Sequence, residues 1–211
     1  MARDFGLIFI EDAAESLGSY VGRAHTGLAG HAGVFSFNGN KTITTGGGGA
    51  IVTSDPALAA HLKHLSTTAK IAHLYEFDHD EIGFNYRMPN INAALGVAQL
   101  EQLPELLERQ RQLHTMYLKA LEDVSSGTKP SERPGTSSNY WLQAFLLDKT
   151  AAKDKNVILN AFLDSGIAVR PLWRPLNRLM PYRFSPTALT PVVDDLYARV
   201  ICLPSSPALA R

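Results

Sequence analysis

Residues 36–49 read SFNGNKTITTGGGG and lie between two short apolar runs, residues 33–37 (GVFSF) and 50–53 (AIVT). Four successive glycines lose a large amount of backbone entropy on folding. Such a stretch makes sense where the chain must turn tightly, or where no side chain can be allowed to intrude on a ligand. Lys41 precedes these glycines, and a strand-like run follows them. A phosphate-binding loop has the opposite order, with its lysine after the glycines and a helix next, so the order argues against a nucleoside-triphosphate site. A Schiff-base lysine is the alternative. Its amine must be partly neutral to attack an aldehyde, which burial or a cationic neighbour brings about. Taken alone, Lys41 reads as a surface lysine in a flexible loop; the surrounding pattern decides otherwise.

Residues 5–10 (FGLIFI) form a continuous apolar run ending at Glu11 and Asp12. This predicts a buried parallel strand that delivers acidic side chains at its carboxyl end. In open α/β sheets ligands gather beyond such ends, which would place Asp12 and the 36–41 segment together. Asp55-Pro56 predicts a helix start, with Leu58, Leu62 and Leu65 on one face. Residues 69–89 read mostly as loop. One helix is expected over about 92–102, and Pro104 is expected to open another reaching about 123, long enough to link two domains. Residues 125–138 (SSGTKPSERPGTSS) mark the clearest boundary. The division is therefore 1–123 and 124–211. In the second part a strand over 140–147, a helix over 152–164 stopped by Gly166, a short strand over 167–169 and a last helix from Thr190-Pro191 are expected.

Twenty basic and twenty acidic residues balance, so nothing calls for nucleic acid or an anionic membrane as partner. The one cysteine, Cys202, excludes an intrachain disulfide and a multi-cysteine zinc site, and its apolar surroundings read as a buried thiol. No apolar run approaches the roughly 20 residues needed to span a bilayer, and the amino terminus lacks the long apolar region of a signal peptide. A cytoplasmic protein is expected. His61 and His64 stand three apart on a helix, and His73, Asp78, His79, Asp80 and Glu81 form a polar group in a loop. Solvated side chains fit this pattern better than metal ligation does, and no metal is expected.

The ordered motifs Glu11-Asp12-Ala13-Ala14-Glu15-Ser16, Ser36-Phe37 with Lys41, Thr44-Thr45-Gly46 with Gly48-Gly49, and Gly83-Phe84-Asn85-Tyr86-Arg87 resemble the DegT/DnrJ/EryC1/StrS family of sugar aminotransferases. The wording of residues 35–53 looks most like the branch that aminates UDP-linked 4-keto-6-deoxy-N-acetylhexosamines, as in legionaminic-acid pathways. The resemblance covers nearly the whole chain. It implies an α/β fold: part of an aspartate-aminotransferase-like large domain (fold-type I, pyridoxal phosphate, PLP) with a mostly parallel sheet, plus a small α+β carboxy-terminal domain. It also implies amino transfer, with glutamate the expected donor, to a nucleotide-linked keto-deoxysugar for polysaccharide or glycoconjugate biosynthesis, by a homodimer with shared active sites.

By the same resemblance, Lys41 holds PLP and moves protons between substrate carbons, whereas relatives with histidine there are dehydratases. Asp12 faces the pyridine nitrogen and keeps the ring protonated, as an electron sink requires. Glu15 lies beside the cofactor's 3-hydroxyl or the sugar, or is simply a helix-start glutamate. Ser36 bonds the cofactor phosphate, and Asn85 reaches that phosphate from the other subunit. Arg87 pairs with substrate phosphate or with an interface carboxylate. Asn177 stands where relatives commonly carry histidine near the substrate opening. Tyr140 and Trp141 read as packing of the small domain.

Family members are longer on the amino-terminal side, where the helix-terminus phosphate grip and the residue that stacks on the pyridine ring lie. The sequence is accordingly expected to be cut at both ends and to have little transaminase activity by itself. The competing reading is a non-catalytic remnant or dimerising module. The integrity of Asp12, Ser36, Lys41 and Asn85 favours catalytic ancestry.

Overall fold

The computed structural model describes residues 1–210. Its strands are β1 (Ile10–Asp12), β2 (Tyr20–Val21), β3 (Ala24–His25), β4 (Ala32–Ser36), β5 (Gly49–Val52), β6 (Gly127–Thr128), β7 (Thr136–Ser137), β8 (Gln143–Leu147), β9 (Arg170–Pro171) and β10 (Val200–Leu203). The helices are α1 (Pro56–Ser66), α2 (Asn90–Ala120), α3 (Lys155–Asp164) and α4 (Pro191–Arg199). The chain divides into two compact units, Met1–Leu107 with Arg133–Asn139, and Glu108–Glu132 with Tyr140–Arg211. The sequence division at 123/124 kept the linking helix whole; the units divide it after Leu107.

In the first unit, β4 lies between β1 and β5. β1 runs parallel to it, with Asp12 opposite Val34, and β5 runs antiparallel, with Gly49 opposite Ser36. The mostly parallel sheet expected from the resemblance is thus one parallel and one antiparallel pairing within this chain. The expected strand over residues 5–10 begins only at Ile10, and Phe5 and Ile8 are 73% and 78% exposed. A run that is apolar on both faces needs cover on both faces, and among the described residues β1 has a hydrogen-bonded neighbour on one edge only.

α1 forms as expected. Asp55 caps it, its Oδ1 accepting the N–H groups of Ala57 (2.8 Å) and Leu58 (3.2 Å), and Pro56 opens the first turn. α2 does not: the break expected at Pro104 is absent, and one helix of 31 residues passes through it. Proline's fixed φ is itself helical, so what it costs is one N–H and a clash with the carbonyl four residues back. The uninterrupted ladder on both sides offsets that cost.

Residues 125–138 are divided between the units. β6 pairs with β8 in the second unit, and β7 pairs with β2 in the first. A stretch read as a linker therefore carries two strands.

The second unit is built on an antiparallel sheet in the order β6-β8-β10-β9. β8 alternates buried and half-buried residues, and all four residues of β10 are buried. Phe145, Leu147, Leu159, Val169, Ile201 and Leu203 make the core, with Tyr117, Ile158 and Phe162 packed against it. The strand expected from Tyr140 starts at Gln143, because Tyr140 takes a left-handed φ of 46° and leaves the extended path. The strand expected over 167–169 is displaced to Arg170–Pro171. Trp141 is buried and stacks on Trp173, with ring centroids 5.9 Å apart. Cys202 is buried, and burial pushes its thiol pKa up. Among the described residues no helix is long and apolar enough to cross a membrane.

A half-buried lysine sits in this unit. Lys129 donates to Gln143 Oε1 at 2.7 Å, and Gln143 is fully buried. Burial pulls the Lys129 amine down from 10.5 to about 8. Above pH 8 the folded chain releases this proton while the unfolded chain still holds it, so stability rises with pH until the unfolded pKa is passed. Discounting for the retained Gln143 bond and partial exposure, the gain is about 2 kcal/mol. Urea unfolding at about pH 7.5 and about pH 10 should show this rise in the wild type and not in Lys129→Met. An identical pH dependence in both would refute it.

Candidate active site

The candidate site begins with the way the glycine turn is anchored. Ile43 and Thr45 are each 1% exposed, so the chain after Lys41 is pinned by its alternate side chains. Thr45 N–H donates to Phe37 O (3.1 Å), and Thr44 Oγ1 donates to the same carbonyl (3.0 Å). From α2, Asn92 Nδ2 donates to Thr45 O at 2.5 Å, and Gln99 Oε1 accepts Thr44 N–H at 3.4 Å. The turn then reverses into β5 through Gly46 (φ 79°) and Gly48 (φ 94°), conformations that glycine adopts without strain. At Gly49 a Cβ would lie 2.4 Å from Phe35 O. Three of the four glycines thus have a steric reason.

Four of the expected site residues lie at or just past the carboxyl ends of β1 and β4, and of these Lys41 and Glu15 are in contact. Asp12 ends β1 and Ser36 ends β4. Lys41 follows in a turn closed by its own N–H to Asn38 O (3.0 Å), and its Nζ donates to Glu15 Oε1 at 3.4 Å. Its side chain is 13% exposed, while that of Glu15 is 56% exposed. The amine's neighbour is a carboxylate, where the sequence reading offered a cation as one means of activation. Asp12 is solvent-exposed, and its Oδ1 accepts Ala14 N–H at 3.1 Å. Ser36 Oγ accepts Asn38 N–H at 3.3 Å.

The other expected residues have different settings. Asn85 forms a backbone bridge with Thr67, just past α1, and its side chain is exposed, as is that of Arg87. Arg87 lines a cleft of about 1040 Å³ along β5, together with Leu62, Met88 and Asn92. Neither Asp12 nor Lys41 lines that cleft. Asn177 belongs to the second unit, in a single 3-10 turn, Leu176–Arg178.

One positioning residue escaped the sequence reading. Asn139 is 5% exposed, and its Nδ2 donates to Glu15 O (2.9 Å), Leu17 O (3.0 Å) and Thr42 Oγ1 (3.3 Å). It ties the Glu15 segment to the residue after Lys41, across about a hundred positions of sequence. The only signal was an asparagine in a boundary rich in serine and glycine, where a turn role is the ordinary expectation.

The residue types fit PLP chemically: a sheltered amine, an exposed carboxylate and a hydroxyl stand at or just past the ends of neighbouring strands. Comparison with known proteins agrees. EpsN of Bacillus subtilis (strain 168), whose name marks it as a candidate pyridoxal phosphate-dependent aminotransferase, is 38% identical over 95% of this chain and 52% of its own length. GDP-perosamine synthase of Escherichia coli O157:H7 is 36% identical over 100% of the chain and 56% of its own. The structure of Helicobacter pylori PseC, an aminotransferase involved in the biosynthesis of pseudoaminic acid, superposes with a TM-score of 0.93 at 28% identity, covering 99% of this chain and 57% of that one. The chain spans about half the length of the relatives it matches. The profile of the DegT/DnrJ/EryC1/StrS aminotransferase family matches residues 1–211, and the chain belongs to that family.

Proposed function

We propose that this chain is part of a PLP-dependent aminotransferase that moves an amino group from an amino-acid donor, glutamate being the expected one, to a nucleotide-linked keto-deoxysugar. The observation that carries the reading is the Lys41 amine, sheltered and paired with Glu15 at the strand edge that also presents Asp12 and Ser36. The relatives named GDP-perosamine synthase and PseC support the substrate class.

When bound, PLP supplies an electron-withdrawing ring that takes up the charge left as a proton departs from the carbon next to nitrogen. Asp12 holds the ring nitrogen protonated. Ser36 Oγ donates to the phosphate. Lys41 Nζ would hold the cofactor, and its tethered amine would carry the proton between the reacting carbons. Glu15 orients that amine. Asn85 serves the phosphate from a second copy of the chain, which makes the working unit a homodimer with shared sites. Arg87 and Asn177 are assigned to the substrate side. In this reading the first unit belongs to a large PLP-binding domain whose complete sheet is mostly parallel, the second is the small domain, and the enzyme works in the cytoplasm.

The test is glutamate-dependent amination of a panel of nucleotide-linked keto-sugars by a protein of its relatives' length carrying this sequence. Amino-sugar product with at least one panel member is expected. Retention of PLP with no amination of any keto-sugar would overturn the substrate class, and failure to retain PLP would overturn the reading itself.

A further inference from the structure

Two polar groups that look unrelated in sequence meet in the first unit. His61 and His64 occupy one face of α1, three residues apart. Asp80 and Glu81 lie in the segment that follows. That segment folds back onto the helix end: Ala69 N–H donates to His64 O (2.9 Å), Asp80 N–H to Ala69 O (3.3 Å), and Phe84 N–H to Leu65 O (2.7 Å). The side chains then face one another. His64 Nε2 lies 2.5 Å from Asp80 Oδ1, and His61 Nδ1 lies 3.5 Å from Glu81 Oε1. Glu81 joins the two pairs, because the donor atoms of His64, Asp80 and Glu81 all fall within 4.8 Å of one another.

We propose that His61, His64, Asp80 and Glu81 form a zinc-binding site that clamps the segment after α1 onto that helix. Two imidazoles and two carboxylates are a donor set that zinc accepts in tetrahedral geometry. Bonds of about 2.1 Å put such donors roughly 3.4 Å apart; to take the ion between them the His64–Asp80 pair opens from its 2.5 Å contact, Glu81 draws in from within 4.8 Å, and His61 joins through its 3.5 Å contact with Glu81. The donor chemistry separates zinc from softer and harder cations. Without a thiolate the site does not suit copper(I) or an iron–sulfur cluster, and two imidazoles disfavour magnesium and calcium, which take oxygen. All four side chains reach solvent, with His64 the most sheltered at 28% exposure, so the cation has an entry path.

The site lies where a clamp has mechanical effect. Leu74, Tyr75 and Phe77 are 96%, 74% and 74% exposed, and the stretch they occupy has two isolated backbone bridges near its ends, Thr67 with Asn85 and Lys70 with His79. A zinc ion joining residues 61 and 64 to residues 80 and 81 closes a loop around that stretch. It fixes the approach to Asn85 and Arg87 without touching them.

The experiment uses the 211-residue chain, stripped with chelator and titrated with Zn²⁺, with Co²⁺ as the visible probe. One equivalent is expected to bind, Co²⁺ giving the absorption of a four-coordinate site, and Zn²⁺ is expected to slow chymotryptic cleavage at residues 74–77 at least tenfold. Loss of an outer-shell partner typically weakens metal binding by roughly 10- to 100-fold. His64→Ala and Asp80→Asn remove direct ligands and are expected to cost at least as much, and to abolish the protection. His73→Ala serves as control, since His73 pairs with Glu76 in the same stretch and is not a proposed ligand. Circular dichroism of each variant separates loss of the site from loss of the fold. Binding that persists in both His64→Ala and Asp80→Asn, binding that is lost in His73→Ala, or no stoichiometric binding at all would each overturn the proposal.

Discussion

Lys41→Ala is expected to lower amination by more than about 10⁴-fold in the enzyme of relatives' length. General acid–base transfer by a well-placed group is worth roughly 10²- to 10⁴-fold, and in the proposed function the same amine also anchors the cofactor. The loss should be chemical and not structural. The segment is held by Ile43 and Thr45, both buried, and by hydrogen bonds through Phe37 O, Asn92 and Gln99, none of which uses the lysine side chain. The turn will therefore keep its shape when the amine is gone. Covalent retention gives an independent readout: borohydride treatment should fix a pyridoxyl label at residue 41 in the wild type and leave the variant unlabelled. Lys41→Arg keeps a cation near Glu15 but lacks a condensing amine, so it should fail equally. A variant retaining a tenth of wild-type turnover would remove Lys41 from the mechanism.

How far the sequence could be read follows from how local each signal was. α1 was legible in full because its cap, its first-turn proline and its apolar face lie within eleven residues. β4 and β5 were legible within one residue at each end, since the lysine segment bounds them on both sides. The positions of Asp12 and Ser36 at strand ends were legible because the apolar runs before them stop there. Failures came where the deciding partner was distant in sequence. A proline at 104 reads as a break, yet the flanking turns carry the helix through. The run at residues 5–10 signals burial, but burial needs neighbours on both faces, and its polar end alone forms strand. Asn139 acts across more than a hundred residues on Glu15 and Leu17, and no local pattern marks it. The pairing of His64 with Asp80 was hidden because helix and loop were judged separately; it appears only once the chain doubles back after Thr67.

Gly33→Ala is expected to destabilise the first unit by more than about 3 kcal/mol, in the range reached when overpacking has no flexible neighbour to absorb it. A Cβ at residue 33 would lie 1.9 Å from Gly27 O and 2.7 Å from Gly27 Cα, which are backbone atoms that a rotamer change cannot move aside. Gly27 cannot retreat either. Its φ of 91° leaves few alternatives, and its own space is closed by the Phe35 ring, 2.6 Å from where a Cβ there would stand. Gly33 is also paired on both sides, to Glu11 in β1 and Val52 in β5. Any shift that relieves the clash therefore disturbs both ladders and, with them, the relative placement of Asp12 and Ser36. Gly39→Ala is the matched control: nothing lies within 4 Å of its Cβ position, and its effect should stay within about 0.5 kcal/mol. Urea unfolding of the two variants decides the matter. Equal midpoints would mean that the approach of β4 to the Gly27 turn does not hold the sheet in place, and the strand edge that gathers the proposed site would need another support.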